Sequence, residues 1–359
     1  MHPLSRFSLP AVALSITAAA LCHRFADGGS AGEARQPGSA SASDGKPSTS
    51  GANVGEHRVG TIGPVGVKES PRMASRLRIT EPGVYENILV DGGWSNERLV
   101  RITADDVVLR NCELRNGRRN AVEIYADDVL IENCRIHHVL RGTFDRQEDA
   151  HGITGRPRRL VVRNCEIHHV SGDALQFDPD RGGWGDVLIE NCTLWTGPVE
   201  EDTAGFRRGE RPGENAIDTK CDAANLRSRL VVRNCRMYGW GRGQIENQAA
   251  FNLKENLDAS VENCVFHDND ICFRLRGDTG RGNADVAIRR CAIYDSKIGI
   301  RTENRLANLR IDGLGIGEGV VERIHVDRGK IGAGFVMHNT FDAPPLESVL
   351  KDGVSQKGP

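Results

Sequence analysis

Val161-Val162-Arg163-Asn164-Cys165 is one copy of a pattern that recurs down the chain. Other copies are Val108-Leu109-Arg110-Asn111-Cys112, Leu130-Ile131-Glu132-Asn133-Cys134, Leu188-Ile189-Glu190-Asn191-Cys192, Val231-Val232-Arg233-Asn234-Cys235 and Val261-Glu262-Asn263-Cys264. A decayed copy is Ala287-Ile288-Arg289-Arg290-Cys291. Successive cysteines are 22, 31, 27, 43, 29 and 27 residues apart. Repeats of this length mark a solenoid, whose units bury their apolar faces by stacking on one another. Each unit consists of short alternating apolar runs, with no stretch of helix length. A constant Asn-Cys pair beside variable spacing implies a fixed cross-section with one loop that absorbs insertions. The expected fold is all-β: a single-stranded right-handed parallel β-helix of about eight to nine coils, three strands per coil. Parallel stacking sets equivalent residues about 4.8 Å apart on successive coils. The Asn residues are then expected to form an amide ladder at one turn. The seven cysteines form a buried column of small hydrophobes, since stacked parallel side chains suit disulfide geometry poorly.

The rest of the chain bounds this reading. Its 359 residues are 38% hydrophobic, enough for a substantial core. Lys and Arg number 47 against 49 Asp and Glu, a net charge of −2, so the basic excess of a dedicated nucleic-acid binder is missing. Residues 1–22 carry Arg6 and then an apolar run ending in Ala18-Ala19-Ala20, which reads as a secretory signal and implies a secreted or extracytoplasmic protein. No later stretch approaches the length of a membrane span. Residues 23–75 read as a Ser/Gly-rich disordered linker, 76–340 as the β-helix with 77–93 capping its open end, and 341–359 as a polar tail. Residues 320–326 read as the last strand, and the protein is expected to be a monomer.

With the repeat on the page, the chain resembles the pectate lyase-like superfamily of right-handed β-helices over roughly residues 78–325. The resemblance implies an Asn ladder between the second and third strand of each coil, long loops between the third strand and the next first strand, and a carbohydrate cleft along the first strands. The long insertions 139–150, 196–214 and 239–250 fall where it expects them.

The first strands share one template: apolar, any, apolar, any. Its copies are Val122-Glu123-Ile124-Tyr125, His151-Gly152-Ile153-Thr154, Leu175-Gln176-Phe177-Asp178, Ile217-Asp218-Thr219-Lys220, Phe251-Asn252-Leu253-Lys254, Phe273-Arg274-Leu275-Arg276 and Ile298-Gly299-Ile300-Arg301. A period of two turns the second and fourth positions toward solvent. One outward column reads Glu123, Gly152, Gln176, Asp218, Asn252, Arg274, Gly299, and its neighbour Tyr125, Thr154, Asp178, Lys220, Lys254, Arg276, Arg301. Stacked like charges are unfavourable. The run Lys220, Lys254, Arg276, Arg301 therefore points to an anionic partner, such as a uronate-containing polysaccharide.

Cleaving such a chain by β-elimination needs a cation on the uronate carboxylate, a base for the acidified proton, and an acid for the leaving oxygen. Lys220 is the candidate base, with Lys254 and Arg276 as carboxylate binders. Arg274, Arg301, Gln176, Asn252, Trp184 and His151 are candidate substrate-binding residues, Trp184 either stacking on a sugar or capping the core. Asp178, Asp218, Glu214 and Asn215 offer the hard oxygen ligands that Ca²⁺ prefers.

The layout Asn215-Ala216-Ile217-Asp218-Thr219-Lys220 followed by Asn252-Leu253-Lys254 is similar to lyases of the chondroitinase B and alginate lyase type, which place a Lys base and an Arg on neighbouring first strands beside acidic calcium ligands. Here Lys254 stands where they have the Arg. The Arg-Ile-Lys motif of polygalacturonases is absent. Asp178-Pro179-Asp180 departs from the Asp-Pro-His of mannuronan epimerases. The competing readings are a non-catalytic surface β-helix that binds glycan or protein, and a related hydrolase or epimerase. His137-His138 and His168-His169 fall in the outward column Arg115, His137, His168, Trp195, Tyr238, His267, Tyr294, read as a ladder of stacked planar side chains rather than a metal site.

Overall fold

The computed structural model describes residues 59–352, apart from 255, 278–279, 283, 305, 307 and 328–333. The chain divides into Met1–Ala52, which lies outside the described residues together with the expected signal and most of the expected linker, and Asn53–Pro359. Among the described residues no helix is long and apolar enough to cross a membrane.

The second unit is a β-helix. One sheet stacks ten parallel first strands, from Leu77–Ile79 and Val100–Ile102 through Asn215–Thr219 and Ala249–Leu253 to Glu322–Asp327. A larger sheet carries the other two strands of each coil, such as Arg158–Arg163 and Glu166–Val170. Between those two strands sits the Asn-Cys pair. Asn111, Asn133, Asn164, Asn191, Asn234 and Asn263 all have φ between 49° and 55°, in the left-handed region. Asn is the non-glycine residue that best tolerates this conformation, which explains its recurrence at a sharp corner. The amide ladder is partial: Asn164 donates to Asn133 and Asn263 to Asn234, each at 2.7 Å. Cys112, Cys134, Cys165, Cys192, Cys235, Cys264 and Cys291 are free and buried, stacked within one continuous core from Ile79 to Leu314.

The residue before each corner Asn alternates in sign up the stack. The paired positions run Glu86, Arg110, Glu132, Arg163, Glu190, Arg233, Glu262, Arg289, Asp312. Arg110 meets Glu86 at 2.7 Å, Arg163 meets Glu132 at 2.6 Å, and Arg233 meets Glu190 at 2.7 Å. The pairs range from the more exposed Arg110–Glu86 to Arg233 on the buried Glu190, and a misplaced coil would set like charges against each other, so the ladder selects the stacking partner.

Three boundaries differ from expectation. Residues 59–70, expected as linker, run along the Asn corner. Gly60 N–H donates to the Asn234 carbonyl, Ile62 N–H to Asn164 Oδ1 and Lys68 N–H to Asn87 Oδ1. The corner amides have side-chain valence to spare, which a linker reading based on composition does not detect. The segment 77–93 is a full coil rather than a cap: Leu77–Ile79, Gly83–Glu86 and Ile88–Asp91 each pair with the strand above. The polar tail contains the helix Leu346–Asp352, whose Val349 packs with Val59, Val265, Ala292 and Tyr294.

The strap hydrogen bonds and the left-handed backbone of Asn164 separate in a pair of variants. Asn164→Gly keeps the backbone and loses the bonds to Ile62 and Asn133, with an expected destabilisation of about 1–3 kcal/mol. Asn164→Ala adds about 1–2 kcal/mol of left-handed strain. Urea unfolding of the two proteins checks the order; equal stabilities would remove the backbone argument.

Candidate active site on the first sheet

The first sheet carries three polar columns. The register gives the middle column as Glu123, Thr154, Gln176, Asp218, Asn252, Arg274, Arg301. Two residues later on each strand lie Tyr125, Arg156, Asp178, Lys220, Lys254, Arg276 and Glu303. Two coils therefore differ from the expected alignment, each by two residues. Thr154 rather than Gly152 pairs with Glu123, and Arg301 rather than Gly299 pairs with Arg274. A slip of two keeps every side chain on its face but changes its neighbours. The consequence is chemical. Glu303, not Arg301, follows Arg276, and it gathers Arg274 at 2.7 Å, Arg301 at 3.1 Å and Arg276 at 3.3 Å. Three guanidiniums share one carboxylate, so the patch keeps an excess of positive charge.

The middle column was expected to face solvent, yet Glu123, Thr154, Gln176, Asp218 and Asn252 are buried. Long neighbouring side chains close over them. Arg98 pairs with Glu123, and the Lys254 ammonium lies 2.7 and 2.8 Å from the two oxygens of Asp218. The accessible surface belongs to the half-buried edge residues Arg156, Asp178, Lys220, Lys254 and Arg276. Lys220 differs from Lys254: among the described residues its side chain meets no hydrogen-bond or ion-pair partner. Its backbone is fixed instead. Lys220 N–H donates to the Phe177 carbonyl at 3.0 Å, and Trp184 Nε1–H donates to the Lys220 carbonyl at 3.1 Å. Trp184 is 2% exposed and packs on Phe177, so it caps the core and holds the Lys220 strand rather than offering a platform for a sugar.

The third column lies at the strand starts and was not recognised as one in the sequence. Asn120, His151, Asp173 and Asn215 stand two residues before the paired Val122, Ile153, Leu175 and Ile217. Their side chains accept backbone N–H groups from the coil above: Asn120 Oδ1 from His151 at 3.0 Å, His151 Nδ1 from Asp173 at 2.9 Å, and Asn215 Oδ1 from Ala249 at 3.1 Å. Asp173 is fully buried, and accepts from Asn215 Nδ2 and from Gln176 Nε2, each at 2.8 Å. Burial, followed by the nearby Asp218 and Glu214, pushes its carboxyl well above the usual carboxylate range. The signal was a polar residue before every Ala/Gly-apolar strand start, visible only once the coils are aligned by two residues.

His151 is nearly buried, and burial lowers its pKa to about 4 despite the neighbouring Asp149. A neutral ring that accepts at Nδ1 carries its proton on Nε2, which lies 4.0 Å from Asp149 Oδ2. Glu214 is pushed up by burial, then by Asp218 and Asp149; Asp178 is pushed up by burial. The three long loops wall the column's side. Gly213 bridges them, its carbonyl accepting from Gln147 Nε2 and Gln248 Nε2, with a small apolar cluster of Leu140, Val199 and Phe206 beneath.

The residues expected to hold Ca²⁺ do not fit one ion as they stand. Asp218 is bound by Lys254, and both ends of the Asn215 amide are engaged by Asp173 and Ala249. The carboxylates of Asp178, Asp218 and Glu214 form no set of ligand atoms within 4.8 Å of one another. No step below runs through a metal.

Residues 98–207 and 151–340 match the sequence profile of the right handed beta helix region, and the chain belongs to that family. Comparison with curated proteins gives no match. Among solved structures, an alginate lyase from Paenibacillus sp. str. FPU-7 is 14% identical, covering 71% of this chain and 94% of its own, with a TM-score of 0.46. The pectate lyase Pel9A is 10% identical over 80% of this chain and 73% of its own, TM-score 0.48. PfbA, a surface adhesin of Streptococcus pneumoniae, is 12% identical over 74% of each chain, TM-score 0.45. The likeness is one of fold.

The His151 geometry makes a directly readable prediction. Nitrogen-resolved NMR should find its ring neutral with the proton on Nε2 from pH 8 down to about pH 5, titrating near about 4. The unfolded chain takes up this proton near 6.5, so this group's contribution to stability is full above 6.5 and is lost as the pH falls toward 4. An Nδ1–H tautomer would refute the hydrogen bond from Asp173.

Proposed function

We propose that this first-sheet surface binds a uronate-containing polysaccharide and cleaves it by β-elimination, with Lys220 as the base. The observation that carries the reading is the contrast between two lysines one coil apart. Lys254 is committed to Asp218 at 2.7 Å, whereas Lys220 is held in place by its backbone and has an amine with no partner among the described residues. A base must be positioned and unencumbered.

The neighbours supply the remaining roles. Of the arginines on Glu303, Arg274 and Arg276 lie two coils from Lys220, roughly 10 Å along the stack, and Arg301 one coil further. They are placed to bind the carboxylate of an adjacent sugar by charge-assisted hydrogen bonds. Lys254 and the His151 Nε2–H face the charge that develops when Lys220 removes the proton next to the bound carboxylate. Glu214, whose carboxyl is favoured in its protonated form by burial, Asp218 and Asp149, donates to the leaving oxygen. In balance, one C–H and one C–O bond break, one C=C bond forms, and one proton passes to Lys220 while another leaves Glu214. Secretion, which such a substrate requires, rests on residues 1–22.

The second reading is a non-catalytic glycan-binding β-helix, favoured by the ion pairs that occupy Asp218 and Glu303. Lys220→Ala separates the two. Ultraviolet absorbance of the unsaturated uronate product should appear with one of pectate, alginate, hyaluronan, chondroitin or heparan-type polymers and vanish in the variant. Retained polymer binding with no product from the unaltered protein would leave only the binding reading.

A further inference from the structure

The outer face of the β-helix, opposite in role to the cleft, holds four imidazoles in a block. His137 pairs with His168 in register, and their rings stack at 5.0 Å and 4°. His138 and His169 stack the same way at 5.0 Å and 17°. Both take the left-handed conformation, with φ of 54° and 49°, which swings each ring back against its predecessor. The two rings of a coil then meet edge to face with their Nδ1 atoms 2.7 Å apart, in His137–His138 and again in His168–His169. Trp195 covers the block, stacked 4.3 Å from His168 and edge-on to His169 at 4.9 Å.

This arrangement differs from the rest of the planar ladder. Tyr238 and His267 continue the stack with single rings. Only in the His137 and His168 coils do neighbouring residues both present imidazole nitrogens to one point. His138, His168 and His169 bring one ligand nitrogen each within 4.8 Å of the others. His169 is 5% exposed; its Nδ1 meets His168, and its other ring nitrogen faces the Pro198 backbone outside the block. Outside the block, His137 Nε2 faces Glu113 Oε1 at 3.4 Å, the carboxylate–histidine contact that orients metal-bound imidazoles. His137, His138 and His168 remain partly open to solvent, which provides an entry path.

We propose that His138, His168 and His169, with His137 beside them, form a binding site for a borderline divalent transition ion of the Zn²⁺, Co²⁺, Ni²⁺ or Cu²⁺ class. Imidazole nitrogen suits these ions and not the hard cations Ca²⁺ and Mg²⁺. At roughly 2.1 Å from a metal, neighbouring ligand nitrogens lie about 3 Å apart, close to the separation already set within each coil. Binding requires the proton shared within each Nδ1 pair to move to an outward Nε2; the ligands stay neutral and no redox partner is needed. The site is structural: it clamps two coils together and has no open chemistry toward the cleft.

The sequence supplies its own control. The residue one coil below His138 is Asn116, in the same left-handed conformation at φ 57°. His138→Asn and His169→Asn therefore preserve the backbone. The untagged, chelator-stripped chain is titrated with Co²⁺ and Zn²⁺, following the Co²⁺ visible spectrum, calorimetric heat and the quenching of Trp195 by Cu²⁺. The expected result is one ion per chain, a Zn²⁺-dependent rise in the unfolding temperature, and loss of at least tenfold in affinity in the double variant. Ca²⁺ should produce none of these. Absence of saturable Co²⁺ and Zn²⁺ binding, or binding unchanged in a double variant that still folds, overturns the proposal.

Discussion

Everything in this molecule depends on coils that stack in parallel register, so that each residue lies directly over its equivalent. Such stacking amplifies whatever a position carries. An apolar residue adds to a continuous core, and a planar ring adds to a ladder. A charge, however, meets another charge at the same spacing. The chain resolves this at the corner by strict alternation from Glu86 to Asp312, with Arg and Glu exchanging at every step. On the third strands Glu113, Arg135 and Glu166 follow the same rule. Hydrophobic stacking alone has no preferred partner among coils so alike in their apolar faces, and the charge order supplies one.

Against that background the edge of the first sheet stands out. From Lys220 through Lys254 to Arg276 the sign does not change over three successive coils. The protein compensates from the side: Asp218 binds Lys254 and Glu303 gathers the arginines. Lys220 closes no ion pair among the described residues, although Asp178 one coil below and Glu214 feel its charge. A chain that solves stacked charge by alternation elsewhere, and here leaves one amine unpaired beside two tied cations, has concentrated its electrostatic cost in the groove walled by its longest loops. That is the pattern expected when a local rule is broken at a functional site.

Much of the architecture was legible because the Asn-Cys pair is constrained twice, by the left-handed corner and by the closed interior. Neither Asn164 nor Cys165 has a ready substitute, so both recur and mark the coils. The first strands are less constrained. His151-Gly152-Ile153-Thr154 and Ile153-Thr154-Gly155-Arg156 both satisfy an alternating template, and only hydrogen-bonding register distinguishes them. That ambiguity hid Arg156 and Glu303 and disguised the column of Asn120, His151, Asp173 and Asn215. Asp173 was invisible for a further reason: a buried carboxyl in a loop-to-strand junction looks, in sequence, like any turn aspartate. The strap of residues 59–70 was missed because its contacts are made by backbone groups, whose partners leave no trace in composition.

The fold also explains how one chain can carry two unrelated polar sites. A β-helix is rigid along its axis because each strand is held on both sides, and its faces are insulated by a core one side chain deep on each wall. The cleft residues sit on the first sheet, while the histidine block sits on the third strands, across the column of Cys134, Cys165 and Cys192. A change of charge on one face reaches the other only through the packed interior of thiols and aliphatic chains. The two coils that bear the histidines, those of Ile136 and Ile167, also bear Glu123 and Thr154 of the first sheet. Fixing the spacing of those coils from outside would therefore hold the floor of the groove without altering its charge. On that proposal the histidine block is a brace two and three coils below Lys220, joining the coils on either side of the long loop 139–150.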